Sequence, residues 1–150
     1  MKLACQDYLD ASRARVQTAR VLYERERYSA AIYFAGVGVE CLLRAYITRR
    51  NPQFDERHDL RDLYQESRMR TFVGSKRLPA ANAWLGDVWT RWKNNYRYVS
   101  DRRLRSEFQR LGFSRGIKGD SLKENARIVV EAAMEFQAIG ELRWTLDRNS

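Results

Sequence analysis

Leu9, Val16 and Tyr23 recur every seventh residue, with Ser12 and Ala19 at the intermediate positions. That spacing is the buried stripe of a packed helix and predicts one over residues 7–27. Arg13, Arg15, Arg20, Arg25 and Arg27 flank it beside Asp10, Glu24 and Glu26. A more apolar segment predicts a second helix over residues 29–50, with Ala30, Phe34, Val37, Cys41, Leu42 and Ala45 on one broad face. Asn51-Pro52 ends it, because the residue before proline is pushed out of the helical region. His58-Asp59-Leu60 opens a short helix with Leu60, Leu63 and Tyr64 as its apolar edge, and Asp59 suits its positive N-terminus. Residues 68–76 read as a basic connector. Leu78-Pro79 starts the third long helix, with proline where no N–H is needed. Its stripe is Ala81, Trp84, Leu85, Val88 and Trp92. Ser100-Asp101 caps a short helix through residue 110, with Leu104, Phe108 and Leu111 inward. After a glycine-rich loop, Ser121-x-x-Glu124 forms a capping box. Leu122, Ala126, Val129, Ala133, Phe136 and Ile139 follow at helical spacing, and Gly140 interrupts late. No segment alternates as a strand. The expectation is an all-α single domain over residues 1–150, an up-down bundle of four long helices plus two short ones.

Two details of the second helix bear on assembly. Gly36 and Gly38 each weaken a helix by about 1 kcal/mol relative to alanine. Their presence on an apolar helix points to close backbone approach, at a tight antiparallel helix pair or at a homodimer seam. Glu40 has two readings: an ion pair with Arg44 one turn on, or a buried carboxylate paired across to another helix.

Composition narrows the function classes. The chain is 44% hydrophobic and 31% charged, as expected of a soluble globular protein. No uninterrupted apolar run of about 18 residues is evident, so no membrane span is expected. The first residues lack an apolar leader, and the expected location is cytoplasmic. Cys5 and Cys41 have no metal-ligand spacing, and His58 is the single histidine, so neither a metal nor a cofactor is expected. P-loop, dinucleotide-glycine, HExxH and GxSxG patterns are absent. Asp55 and Glu56 read as solvated loop charges.

Charge changes the picture most. There are 28 basic and 19 acidic residues, a net +9. Residues 57–118 hold 15 basic and 6 acidic residues, while the remainder holds 13 of each, so the whole excess lies in the middle of the chain. Arginine accounts for 23 of the basic residues, and its planar fork fits phosphate and stacks on bases. Such clustering favours a nucleic-acid or nucleotide partner if the helices gather these groups on one exposed face. The alternative is a solvated face, or one turned to an acidic protein.

Residues 30–46 (AAIYFAGVGVECLLRAY), the His58-Asp59-Leu60 triplet and the aromatic-basic block of residues 92–98 (WKNNYRY) resemble, in order and spacing, HEPN domains. The resemblance covers roughly residues 7–145. It implies a helical bundle that commonly dimerises, in toxin–antitoxin, phage-defence and RNA-processing systems. Many such domains are metal-independent ribonucleases. Others are inactive nucleotide- or RNA-binding, regulatory partners, often beside a nucleotidyltransferase.

The ribonuclease members carry an arginine followed, after four to six residues, by histidine. Metal-free cleavage needs a base for the 2′-hydroxyl and a cation for the phosphate. Arg91 stands in the corresponding place, but Tyr96, Arg97 and Tyr98 follow where histidine is expected. A tyrosine of pKa about 10 is a poor base near neutrality. The expectation is therefore an RNA- or nucleotide-binding regulatory module, probing ligand with Arg91, Lys93, Asn95, Arg97, Arg102, Arg103 and Arg105. The alternative is a ribonuclease using Arg91 with Tyr96 or Tyr98. His58 reads either as the cap of its short helix or as a base entering from elsewhere. Asn94, Asn95 and Tyr96 are either ribose- or phosphate-binding groups or polar helix surface. Of the tryptophans, Trp84 and Trp92 read as core and Trp89 as the one to stack a base.

Overall fold

The structure is a computed structural model; it describes residues 1–57 and 59–148, with the side chains of 147 and 148 outside that description. The helices are α1 (Cys5–Glu24), α2 (Tyr28–Arg50), α3 (Leu60–Ser67), α4 (Met69–Val73), α5 (Leu78–Arg91), α6 (Asp101–Arg110) and α7 (Ser121–Arg148), with a 3₁₀ turn at Asn94–Tyr98. Among the described residues there is no strand. The four long helices α1, α2, α5 and α7 are those the sequence predicts. His58 lies outside the described residues.

Helix α1 buries Leu9, Ser12, Val16 and Ala19, the predicted stripe, against α2. The crossing is tight at Gly38, where a Cβ would stand 2.5 Å from Val16 Cγ2, and Ser12 Oγ donates to the Gly38 carbonyl at 2.8 Å. Gly38 therefore serves a helix pair within one chain. The face predicted for α2 is rotated from the observed one. Ala30, Phe34, Val37 and Cys41 are half-buried, whereas Ala31, Ile32, Ala35, Val39, Leu42, Leu43 and Tyr46 are enclosed. The reason is that α2 is the central helix, packed by α1, α7, α3 and the 3₁₀ turn, so its apolar residues surround it without a clear stripe. Contrary to the sequence expectation, α2 is also long and apolar enough, by length and composition, to cross a membrane; 61% of the qualifying window is buried inside the bundle. Glu40 takes the local reading: its carboxylate accepts from Arg44 Nε at 2.9 Å.

Two short helices were expected, and among the described residues there are three short α-helices, α3, α4 and α6. The extra one, α4, lies in the supposed connector because Met69 and Val73 are fully buried there. Met69 and Leu42 close over Gly140, whose missing side chain lets α7 pass and whose carbonyl accepts from Tyr46 Oη. Gly140 thus does not interrupt α7. The cap of α7 also differs from the predicted box. The Asp120 carboxylate accepts from the N–H groups of Leu122 (3.0 Å) and Lys123 (3.2 Å), while Glu124 pairs with Arg127. Ser100 caps α6 as expected, and Asp59 takes the α3 cap that one reading gave to His58, each accepting from the N–H three residues on.

Candidate nucleic-acid interface

Helix α5 ends at Arg91 because Trp92 and Lys93 take extended backbone angles. The physical anchor is Trp92. Its indole lies over Gly36, where a Cβ would come within 2.1 Å of the ring, and its Nε1 donates to the Tyr33 carbonyl at 3.1 Å. Gly36, like Gly38, is thus occupied within the chain, which removes the glycine argument for a dimer seam. The next residues wind into the 3₁₀ turn instead of continuing α5.

That turn sorts the candidate residues. Tyr96 points inward, 6% exposed, with its ring 6.3 Å from Phe108. Burial pushes its hydroxyl pKa up, the Glu107 charge adds to this and Arg110 opposes it. Lys93, Asn94, Asn95, Arg97 and Tyr98 are exposed. Tyr98 is 77% exposed, and the Arg97 guanidinium lies 4.7 Å over its ring. Lys93 and Asn95 face Arg103 and Glu107 of α6 across a cleft of about 160 Å³. The Glu107 carboxyl is held below its ordinary value mainly by a hydrogen bond from Arg110, with the charges of Arg103 and Lys93 adding to it. Asp101 fixes the start of α6 to α2, accepting from the Ser29 N–H at 2.9 Å.

Arg91 is not on this open surface. Its side chain is 18% exposed and lies across α5 towards α7. Nε donates to Asn125 Oδ1 at 2.9 Å, Nη1 reaches the Asp87 carbonyl (3.3 Å) and carboxylate (3.4 Å), and the guanidinium sits 5.2 Å over Phe113. Asn125, 1% exposed, donates in turn to the carbonyls of Phe113 and Ser121 at 2.9 and 2.8 Å. Sequence reasoning missed Asn125 and Phe113. The available signal was a lone amide inside the apolar stripe of α7, between Leu122 and Ala126.

The basic candidates divide by partner. Arg105 is paired with Asp120 at 3.2 Å, and Arg103 is 3.9 Å from Glu107. Among the described residues Lys93, Arg97 and Arg102 have no carboxylate partner. The middle-chain charge is not gathered on one face. The turn and α6 lie beside the start of α2, at Ser29 and Tyr33, whereas α4 lies beside its end, where Phe72 meets Tyr46 at 5.8 Å. At 1.5 Å per residue these ends are about 25 Å apart. Trp84, Trp89 and Trp92 are all half-buried, and Trp89 carries Arg61 over its ring at 4.6 Å. Cys5 and Cys41 are free thiols, and burial pushes Cys41 up to about 11. Among the described residues no cluster of histidine, cysteine and acidic groups has the makings of a metal site.

The family model described as HEPN domain matches residues 5–139. No curated protein and no solved structure matches the chain. The family match spans all but the two ends of the chain, over the bundle that carries Trp92, the 3₁₀ turn and α6, and the chain therefore belongs to the HEPN domain family.

Proposed function

We infer that this chain is an RNA-binding regulatory HEPN module rather than a nuclease. The observation that carries the reading is the exposed Tyr98–Arg97 pair beside unpaired Lys93 and Arg102. An exposed aromatic next to free cations suits single-stranded nucleic acid: the ring stacks a base and the cations follow the phosphates. Asn95 and Arg103 extend that surface through the cleft. Arg91 and Arg105 support it from behind, because each already holds a protein carboxylate or amide. The ribonuclease reading has less behind it. Tyr96 is enclosed with its pKa raised, and the group over the Tyr98 ring, Arg97, is a cation and not a proton acceptor. The wider assignment belongs to the same proposal: a cytoplasmic homodimer acting beside a protein partner, such as a nucleotidyltransferase, in a toxin–antitoxin or defence system.

The test is fluorescence anisotropy of labelled single-stranded RNA, with cleavage followed in the same tubes in the presence of a chelator. Binding is expected to weaken with salt and to fall about tenfold in Tyr98→Ala, one stacked base being worth about 1–3 kcal/mol. RNA affinity unchanged in Tyr98→Ala and Arg97→Ala refutes the surface. Cleavage lost in Tyr98→Phe refutes the non-catalytic reading.

A further inference from the structure

A groove of about 700 Å³ lies between α3 and α5, and none of its lining residues belongs to the 3₁₀ turn. Its α5 wall is Asn82, Leu85, Gly86, Trp89 and Thr90, one continuous face of that helix. Across from it stand Arg61, Asp62 and Tyr64 of α3, with Arg70 of α4 at one end. The size is that of a small-ligand site.

Gly86 is the telling residue. Four glycines lie within long helices, and three of them are filled from inside the chain: Gly36 by Trp92, Gly38 by Val16 and Gly140 by Leu42. A Cβ on Gly86 would meet nothing within 4 Å. A mid-helix glycine weakens the helix relative to alanine, and here no internal contact offsets that loss. What it leaves is bare backbone at the floor of the groove, next to the Trp89 indole. The face of that indole accepts a flat cation already, Arg61 at 4.6 Å. The buried Tyr64 hydroxyl is held by Asn82 Oδ1 at 3.0 Å, so the wall is pre-ordered.

We propose that this groove binds a small aromatic anion: one flat ring over Gly86 against Trp89, and one acidic group on Arg70 and Arg61. A guanidinium stacks on a ring as readily as on an indole, so Arg61 closes over the ligand without a change of chemistry. The lining also sets the size of the ligand. Arg61 and Arg70 have no carboxylate partner among the described residues, while Asp59 and Asp62 line the same groove, so the four charges cancel. A nucleic-acid strand would carry several phosphates past those two carboxylates. A ligand with a single acidic group avoids them, and a hydroxyl or amino group on it finds acceptors there. The groove shares no residue with the proposed RNA surface.

The experiment is calorimetric titration of the full chain with adenosine monophosphate, indole-3-acetate, adenosine and inorganic phosphate. At least one of the two aromatic anions is expected to bind about tenfold or more tightly than adenosine or phosphate, each of which lacks half of the pattern. Binding of the nucleotide alone identifies the acidic group as phosphate; binding of both shows that a carboxylate serves. Gly86→Leu fills the floor and is expected to weaken binding at least tenfold while leaving RNA anisotropy unchanged, and Gly86→Ala is expected to raise the Tm. Failure of both aromatic anions to bind, equal binding of adenosine, or undiminished binding in a folded Gly86→Leu overturns the proposal. Loss of RNA binding alone, in Tyr98→Ala, leaves it standing.

Discussion

Gly36→Ala is the sharpest perturbation of this fold, because it acts on the residue that ends α5. The added Cβ would lie 2.1 Å from Trp92 Cδ1 and 2.2 Å from Cγ and Nε1. Ordinary carbon contacts are about 3.5–4.0 Å, so the indole must retreat by about 1.5 Å. That displacement breaks the 3.1 Å bond from Trp92 Nε1 to the Tyr33 carbonyl. Overpacking of this kind costs about 1–3 kcal/mol, and the lost hydrogen bond about 1 kcal/mol. Alanine returns about 1 kcal/mol in helix propensity. The net is a loss of about 2 kcal/mol, or a fall in Tm of about 4–8 °C for a chain of this length. Thermal and urea unfolding measure it. Gly86→Ala is the control, since it makes the same propensity gain with open space at the Cβ. Adding Trp92→Leu to Gly36→Ala removes the clash, and the two changes are expected to couple by more than about 0.5 kcal/mol. A Tm for Gly36→Ala equal to that of Gly86→Ala refutes the packing of Trp92 on α2. It refutes with it the account of why the chain leaves the helix at that point.

Two further predictions concern the support of the candidate surface. Asn125→Ala removes the acceptor of Arg91 Nε and both donors that hold the Phe113 and Ser121 carbonyls. Stability is expected to fall by about 2 kcal/mol, with faster amide exchange across residues 112–120; unchanged exchange there refutes the role. Acid is expected to loosen α6. Arg110 holds Glu107 below its ordinary value of 4.5. Partial burial pushes Asp120 up, but the Lys123 N–H, Arg105 and the Leu122 N–H outweigh it and bring the carboxyl below 3.8. A depressed folded pKa adds stability that is complete above the unfolded value and is lost as pH falls through the folded one. The urea midpoint is therefore expected to drop below about pH 4, and to drop less in Glu107→Gln; equal acid loss in that variant refutes the contribution.

The long helices were legible because their stripes report burial directly, and α1 shows it: Leu9, Ser12, Val16 and Ala19 are all buried, Ser12 and Val16 against α2. Periodicity failed on α2 for a physical reason. A helix surrounded by neighbours has no solvent side to mark its phase, so Phe34 and Cys41 looked no different from Leu42 and Leu43. Helix α4 was hidden because only Met69 and Val73 are buried among basic residues, too few to show a period. The break after Arg91 was hidden for another reason: its cause, Gly36, lies 56 positions earlier in the chain. Separation in sequence also hid the role of Arg91. Its residue type suggested a phosphate ligand, but only folding brings Asn125 and Phe113 against it.

The split of the basic residues along α2 has a measurable consequence for RNA. Counting charge along the chain assigns 15 basic residues to the middle segment, and a single strand touching all of them would give a slope of log K against log salt of about −10. The fold allows far fewer contacts at once. Among the described residues Lys93, Arg97 and Arg102 have no carboxylate partner at one end, and Arg103 is held loosely at 3.9 Å from Glu107. Arg70 belongs to α4 at the other end, and Arg61 lies in the α3–α5 groove over Trp89, between the two. Three or four phosphate contacts correspond to a slope of about −2 to −3. Each of Lys93→Ala and Arg97→Ala should reduce its magnitude by about 0.7, whereas Arg70→Ala should not change it. A slope near −10, or one that responds to Arg70, would mean that RNA runs the length of α2 and joins the two basic ends. The groove at Gly86 would then be part of the RNA path and not a separate site.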